Sequence, residues 1–247
     1  MTTKMTSQPV ELTARRAAAY MLLSRCLAYP DARGIELLQE AGVASSDLLK
    51  GGPLEEVARR ASEGADADIA DEHVRLFSIS FSPDCPTFET AFVSTDATDQ
   101  TMRMADVAGF YRAFGVDTSE TGFRPDDICV ELEFMAFMCQ KQMYAAEHLG
   151  APRVAQSLKA QRSFLKDHLG RWAGALGRRL VLRARPGSFY AEVGCGLEDW
   201  MAEDLRALGV EDVDLIEKPA TNWPKPEEDE DAPVEPAIIG LDEIGVR

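Results

Sequence analysis

The sequence predicts an all-α fold, a single helical-bundle domain followed by a disordered acidic C-terminal tail. Three observations lead there. Ala, Leu, Glu, Asp and Arg are common while aromatic residues make up 8%, a balance that favours helix over sheet. Apolar residues recur at helical spacing through most of residues 10–210, with no strand alternation and no internal repeat. After Val210 the periodicity gives way to "EKPATNWPKPEEDEDAPVEP", a composition that cannot bury enough apolar surface to fold.

The domain boundaries follow. Residues 1–9 are a flexible arm, 10–210 the helical domain and 211–247 the acidic, Pro-rich tail. With 45% hydrophobic residues in 247, a substantial core can form. The tail ends in "AIIGLDEIGV", apolar enough to dock in cis or on a partner.

The elements read in order. A first amphipathic helix covers 10–29, with Leu12, Tyr20, Leu23 and Leu27 near one face and Pro30 just past its end. Short helices follow at 33–41 and 53–62, the second with Pro53 in its first turn. "DADIADEHVRLFSIS" gives a further helix with Ile69, Val74 and Phe77 as core contacts. Residues 81–90, "FSPDCPTFET", carry two prolines and read as loop. The amphipathic stretch 101–116 stops at Gly115. The longest helix covers 125–149 and is closed by Gly150-Ala151-Pro152. Another runs over 153–169, breaks near Gly170 and continues to 184. The final helical stretch, 189–208, is expected to be interrupted at Gly194 and Gly196.

Charge excludes one class of function. The net charge of −16 argues against nucleic-acid binding, which needs clustered Lys and Arg. Twelve acids against three bases give 211–247 a net −9, leaving −7 for residues 1–210. No apolar run approaches the length of a membrane span. The twin arginines Arg15-Arg16 precede an apolar run that Arg25 interrupts, so the stretch reads as a helix rather than an export signal. Five widely spaced cysteines without a C-x-x-C pair point to reduced thiols in the cytoplasm. Cys85, on a loop, is the expected exposed thiol, with nothing basic nearby to activate it.

The segment "RPDDICVELEFM" (124–135) concentrates the chemistry, with four carboxylates among large apolar residues. On a helical wheel Ile128, Leu132, Met135 and Cys139 form one apolar sector, and Phe134, Met138 and Ala145 a second beside it. Glu131 projects between the two sectors and is expected to be partly buried, while Glu133 falls on the polar side. Asp126 and Asp127 sit at an exposed helix start, where capping and dipole compensation are sufficient roles. A carboxylate at position 131 needs donors, a base or a raised pKa.

Catalytic signatures are missing. The sequence has no Glu-x-x-His pairs of the di-iron type, no H-E-x-x-H, no G-x-S-x-G and no phosphate loop. His73, His148 and His168 are scattered and read as structural. The pattern favours binding over turnover, with no catalytic residue, no metal and no cofactor of its own. Two rival readings remain: a carboxylate-based metal-binding enzyme using Asp127, Glu131 and a histidine, and a regulatory adaptor acting through the acidic tail.

Three segments in this order carry a family resemblance: "HVRLFSISFSPDCPTFETAF", "ADVAGFYRAFGV" and Arg124-Pro-Asp-Asp-Ile-Cys-Val-Glu-Leu-Glu-Phe-Met135. The chain resembles the TorD/DmsD/NarJ family of cytoplasmic chaperones for molybdenum enzymes over about residues 10–205. The Cys-Pro-x-Phe-Glu and Ala-Asp-Val-Ala-Gly-Phe-Tyr forms are most similar to members serving dimethylsulfide, ethylbenzene, selenate or chlorate enzymes. The resemblance implies an all-helical cytoplasmic protein. Its partners would be the catalytic subunit of a molybdopterin-dependent oxidoreductase and that subunit's twin-arginine signal peptide. It also implies help with cofactor insertion before export. Carried over, the client-binding residues are Leu76, Phe77, Pro86, Phe88, Glu89, Asp126 and Asp127, with Glu131 supporting the helix. Two departures stand out: Asp127 occupies the position of the family's His, and Ser82-Pro83 that of its Gly-Pro.

Overall fold

Among the described residues, five of the ten helices start on short-range signals that the sequence states. In the computed structural model, residues 3–78, 85–118, 122–210 and 212–220 are described, with side chains from Val10 onward. The helices are α1 (Thr3–Leu27), α2 (Ala32–Leu49), α3 (Glu55–Ser62), α4 (Ile69–Phe77), α5 (Glu89–Val93), α6 (Ala97–Ala113), α7 (Ile128–His148), α8 (Ala151–Asp167), α9 (Leu169–Arg183) and α10 (Phe189–Ala207). Caps mark four of the starts. Asp31 accepts from Gly34 N, Asp96 from Thr98 N and Asp99 N, Asp127 from Cys129 N, and Ser188 from Ala191 N. Pro152 opens α8 after Gly150, whose φ of 82° only glycine adopts without strain. Among the described residues there is no strand, and the expected all-α domain is what forms.

The core forms around α7, which packs chiefly on α1 and also on α8. Ile128, Leu132, Met135 and Cys139 are buried, and so are Phe134, Met138 and Ala145. Both wheel sectors therefore face protein. Pairs α9–α10 and α2–α3 complete the bundle, with α2 also resting on α1.

The twin arginines serve this packing. Arg16, 3% exposed, donates from Nε to Asp204 Oδ1 at 2.5 Å and from Nη2 to Oδ2 at 2.9 Å. Its Nη1 donates to Gln161 Oε1. Tyr20 OH donates to Asp204 Oδ2 at 2.5 Å. Gln161 Nε2 donates to Gln142 Oε1 at 2.8 Å, and Gln142 Nε2 to Thr13 Oγ1 at 3.1 Å. One polar network thus joins α1, α7, α8 and α10. Arg15 pairs with Glu203 at 2.7 Å beside the Trp200 ring.

Several local expectations are corrected. The last helix is not interrupted: Gly194 and Gly196 lie within continuous α10. A Cβ on Gly177 would sit 2.7 Å from Gly194 O, and one on Gly194 2.8 Å from Gly177 O. These glycines let α9 and α10 approach closely; they do not break a helix. The α8–α9 break falls at His168 (φ −129°, ψ −105°), two residues before Gly170. Helix α2 runs on to Leu49, eight residues past the expected end. The short α5 begins inside the expected 81–90 loop, of which residues 81–84 lie outside the described residues. Leu12 and Val74 are exposed, and Leu76 takes the core position on α4. Cys85 is buried and Cys195 is the exposed thiol. Burial also pushes the Cys139 thiol up to about 12.

Described structure continues past Val210. Residues 212–220 run extended along α9: Ile216 N donates to Arg171 O at 2.8 Å, Arg171 pairs with Asp214 at 3.1 Å, and Ala220 N donates to Ala91 O at 2.9 Å. The rest of the expected tail, 211 and 221–247, and residues 1–2 of the expected arm lie outside the described residues. Residues 3–9, the remainder of that arm, continue α1.

Replacing Asp204 with alanine strands Arg16 as an unpaired buried charge. The Asp204→Ala protein is expected to lose about 3–5 kcal/mol of stability, read as a lowered urea midpoint.

Candidate functional site

Two loops meet where the sequence concentrates its acids. Residues 85–90 and 124–128 pair antiparallel through a single bridge between Phe88 and Asp127. Glu89 N donates to Asp126 O at 2.8 Å, and Ile128 N to Thr87 O at 2.7 Å. Tyr111 OH on α6 donates to Pro125 O at 2.7 Å. The proline-bearing loop and the start of α7 are thereby one unit.

Asp126 is fully buried, contrary to its expected place at an exposed helix start. Its carboxylate accepts from Thr90 N at 3.1 Å, Thr90 Oγ1 at 2.7 Å, and Arg124 Nε and Nη2 at 3.0 and 3.1 Å. The Arg124 guanidinium lies 4.3 Å from the Phe88 ring centroid, a cation–π contact. Asp126 is therefore an internal clamp with its acceptors occupied. Asp127 caps α7 as expected and also accepts from Thr87 Oγ1 at 3.1 Å. Burial raises its pKa, against the lowering effect of the Cys129 amide and the Thr87 hydroxyl.

Glu131 and Glu89 form the buried floor. Glu131, expected to be partly buried, is wholly so; its Oε2 accepts from Trp172 Nε1 of α9 at 3.3 Å. Glu89 Oε2 lies 3.1 Å from His168 Nδ1. Oε1 of each glutamate finds no partner among the described residues. Burial, then the charge of Glu89, holds the Glu131 carboxyl well above its ordinary range. The shift favours a protonated Glu131, which removes the like-charge repulsion between the pair. Among the described residues no three His, Cys, Asp or Glu side chains are placed to hold a metal ion.

Beside this unit a groove of about 530 Å³ opens between the end of α1, α4 and the first turns of α7. Its wall includes Tyr29, His73, Phe77 and Val130, and its carboxylates are Asp31, Asp127 and Glu133, with Arg25 the one Lys or Arg among the lining residues. The aromatic wall is continuous. Tyr29 meets His73 at 5.3 Å, His73 meets Phe77 at 4.6 Å, and Phe77 meets buried Tyr190 at 5.5 Å. Burial lowers the His73 pKa, and its Nε2 lies 3.2 Å from Leu27 O. Glu133, expected only to be solvated, accepts from Ser24 Oγ at 3.2 Å and pairs with Arg25 at 3.0 Å. The groove thus offers apolar surface with an excess of carboxylate.

Of the residues singled out from the sequence, the groove gathers Phe77 and Asp127. Pro86 and Phe88 are half-buried near it, while Leu76, Glu89, Asp126 and Glu131 are buried beneath. Sequence reasoning missed Arg25, Tyr29, Asp31, His73 and Glu133. Only the three-residue spacing of Asp127, Val130 and Glu133 on one face of α7 hinted at part of the set.

A family model described as nitrate reductase delta subunit matches residues 46–177, just over half the chain. The chain belongs to that family. The delta-subunit family is the NarJ/TorD-type group of redox-enzyme maturation chaperones, as the three sequence segments implied. The matched stretch contains both paired loops and the α4 and α7 walls of the groove, whereas Arg25, Tyr29 and Asp31 lie before it. A solved structure of a protein provisionally described as a redox enzyme maturation protein from Archaeoglobus fulgidus is 22% identical. It covers 61% of this chain and 94% of that one at a TM-score of 0.36, a likeness that carries no further argument. No curated protein sequence matches. Among the described residues of this delta-subunit relative, no helix is long and apolar enough to cross a membrane.

The Glu131 shift has a sign. A carboxyl held above its ordinary 4.5 adds stability that is fully present below that value and lost as pH rises through the raised one. Denaturant midpoints from about pH 4 to about pH 8 are expected to fall with rising pH in the wild-type protein relative to Glu131→Gln. Parallel curves for the two proteins would show that Glu131 is ionised throughout.

Proposed function

We propose that this chain is a cytoplasmic chaperone that holds the twin-arginine signal peptide of a molybdopterin-dependent oxidoreductase catalytic subunit. Cofactor insertion would precede release of that subunit for assembly or export. The observation that carries the reading is the groove: three carboxylates, Asp31, Asp127 and Glu133, around an apolar and aromatic wall. Guanidinium groups pair with carboxylates through two parallel hydrogen bonds. The apolar part of a signal peptide suits Tyr29, Phe77 and Val130 as an amphipathic segment suits a hydrophobic groove.

The binding role falls on the groove carboxylates more than on the whole set expected from sequence. Asp126 already receives four hydrogen bonds. In this reading Asp126, Glu89 and Glu131 support the loops, and Leu76 backs Phe77. Asp127, at the position of the family's His, supplies a charge where an imidazole would supply a donor. That difference favours a client whose arginine reaches the α7 N-terminus.

Calorimetry with a synthetic twin-arginine signal peptide tests this. Asp31→Asn combined with Asp127→Asn keeps capping-competent side chains and removes two charges. The affinity is expected to drop at least about tenfold, a 1.4 kcal/mol loss, with helicity unchanged. Replacing the peptide's arginines with glutamine should produce a similar loss. Equal affinity of wild-type and variant proteins would refute the groove assignment.

A further inference from the structure

A second groove lies at the opposite end of α7, and its chemistry is the reverse of the first. It encloses about 530 Å³ between the end of α6, the last turns of α7 and the start of α8. Its apolar lining includes Phe114, Tyr144 and Leu149, the last two 58% and 54% exposed. Its charged lining residues are Lys141 and Arg153, with no carboxylate among them. Lys141 Nζ donates to Phe114 O at 2.8 Å and lies 5.0 Å from the Phe137 ring centroid. Arg153 donates to Gln156 Oε1 at 2.8 Å. Among the described residues neither base is ion-paired. In a chain of net charge −16, a basic apolar groove is an uncommon feature.

We propose that this groove is the docking site of the chain's own C-terminal segment, residues 238–246, "IIGLDEIGV". The segment carries five large apolar residues around Asp242 and Glu243. Its acids match Lys141 and Arg153. The groove proposed for the signal peptide is lined by Asp31, Asp127 and Glu133 and would repel them. The two grooves therefore sort two apolar ligands by charge: an arginine-bearing client at one end of α7, an acidic tail at the other. The inference does not rest on the chaperone reading.

The chain can make the connection. Residues 212–220 are tethered along α9 and reach α5, where Ala220 N donates to Ala91 O. From there, 17 residues, 221–237, precede the segment and span up to about 56 Å when extended. The 21 residues of α7 extend only about 32 Å. Tethering at this length supplies an effective concentration on the order of 1 mM. A segment with an intrinsic Kd of about 0.1 mM would then be docked about ten times more often than free.

Zero-length carbodiimide crosslinking of the full chain, mapped by mass spectrometry, tests the contact. A Lys141 crosslink to Asp242 or Glu243 is expected within single chains, independent of protein concentration and lost in Ile238→Asp/Leu241→Asp/Ile244→Asp. Crosslinks found only between two chains would overturn the proposal in favour of a second copy. Crosslinks spread equally over Lys50, Lys159 and Lys166 would overturn it in favour of an undocked tail. Hydrogen exchange gives an independent readout. Amides at the end of α7 and the start of α8 should exchange about tenfold faster in the triple variant and in Lys141→Glu/Arg153→Glu. Exchange identical to wild type in both variants would sink the docking. Because neither variant touches Asp31, Asp127 or Glu133, failure here leaves the signal-peptide measurement standing.

Discussion

A helix with a broad buried face must find internal partners for the polar groups on that face, and α7 is such a helix. Its buried residues include Glu131 and Gln142 as well as its apolar sectors. Unpaired, each would cost roughly 1–3 kcal/mol or more. The partners come from elsewhere in sequence: Trp172 for Glu131, and Thr13 and Gln161 for Gln142. Through Gln161 the network extends to Arg16, Asp204 and Tyr20. The position of α7 thus sets the register of α1, α8, α9 and α10 together. The groove walls inherit that order, because Asp127, Val130 and Glu133 are its first outward-facing turns.

The same constraint organises the acids. Carboxylates that share a small volume cannot all be charged and unpaired. Asp126 is neutralised in place by Arg124 and by the Thr90 amide and hydroxyl. Glu131 is relieved by a raised pKa. Asp127 and Glu133 keep access to the groove, although Asp127 is partly desolvated and Glu133 shares Arg25. A cluster that reads in sequence as four similar acids is therefore divided into an internal clamp, a buried floor whose carboxyl is held above its ordinary range, and a rim that faces the groove. Charge for a ligand is left only at the rim.

Much of this is legible in the sequence alone. The apolar sectors of 128–145, the cap at Asp127 and the Gly150-Ala151-Pro152 stop are local features, and they hold. The three-segment resemblance identified the family. The five-residue α5 was not legible, since one turn of helix beside two prolines gives no measurable period. Gly194 read as a break because its real partner, Gly177, is seventeen residues away. Asp126 read as exposed because its neighbour Asp127 is a true cap, and adjacent helix-start residues look alike in sequence. Cys85 read as exposed because loops usually are, yet pairing with 124–128 covers this one.

By itself the sequence determined the helical class, most of the helices, the cap of α7, the mildly acidic domain with its strongly acidic tail, and the family. Those properties depend on residue type and spacing within about one helical turn, and the chain carries them wherever it folds. Tertiary structure alone decided which acids are buried, which arginine is a structural strut, and where a groove opens. Those outcomes depend on distances between residues as far apart as Arg16 and Asp204, or Arg25 and Glu133. Burial and charge pairing arise from what the packed neighbours present, and no local pattern encodes who those neighbours are.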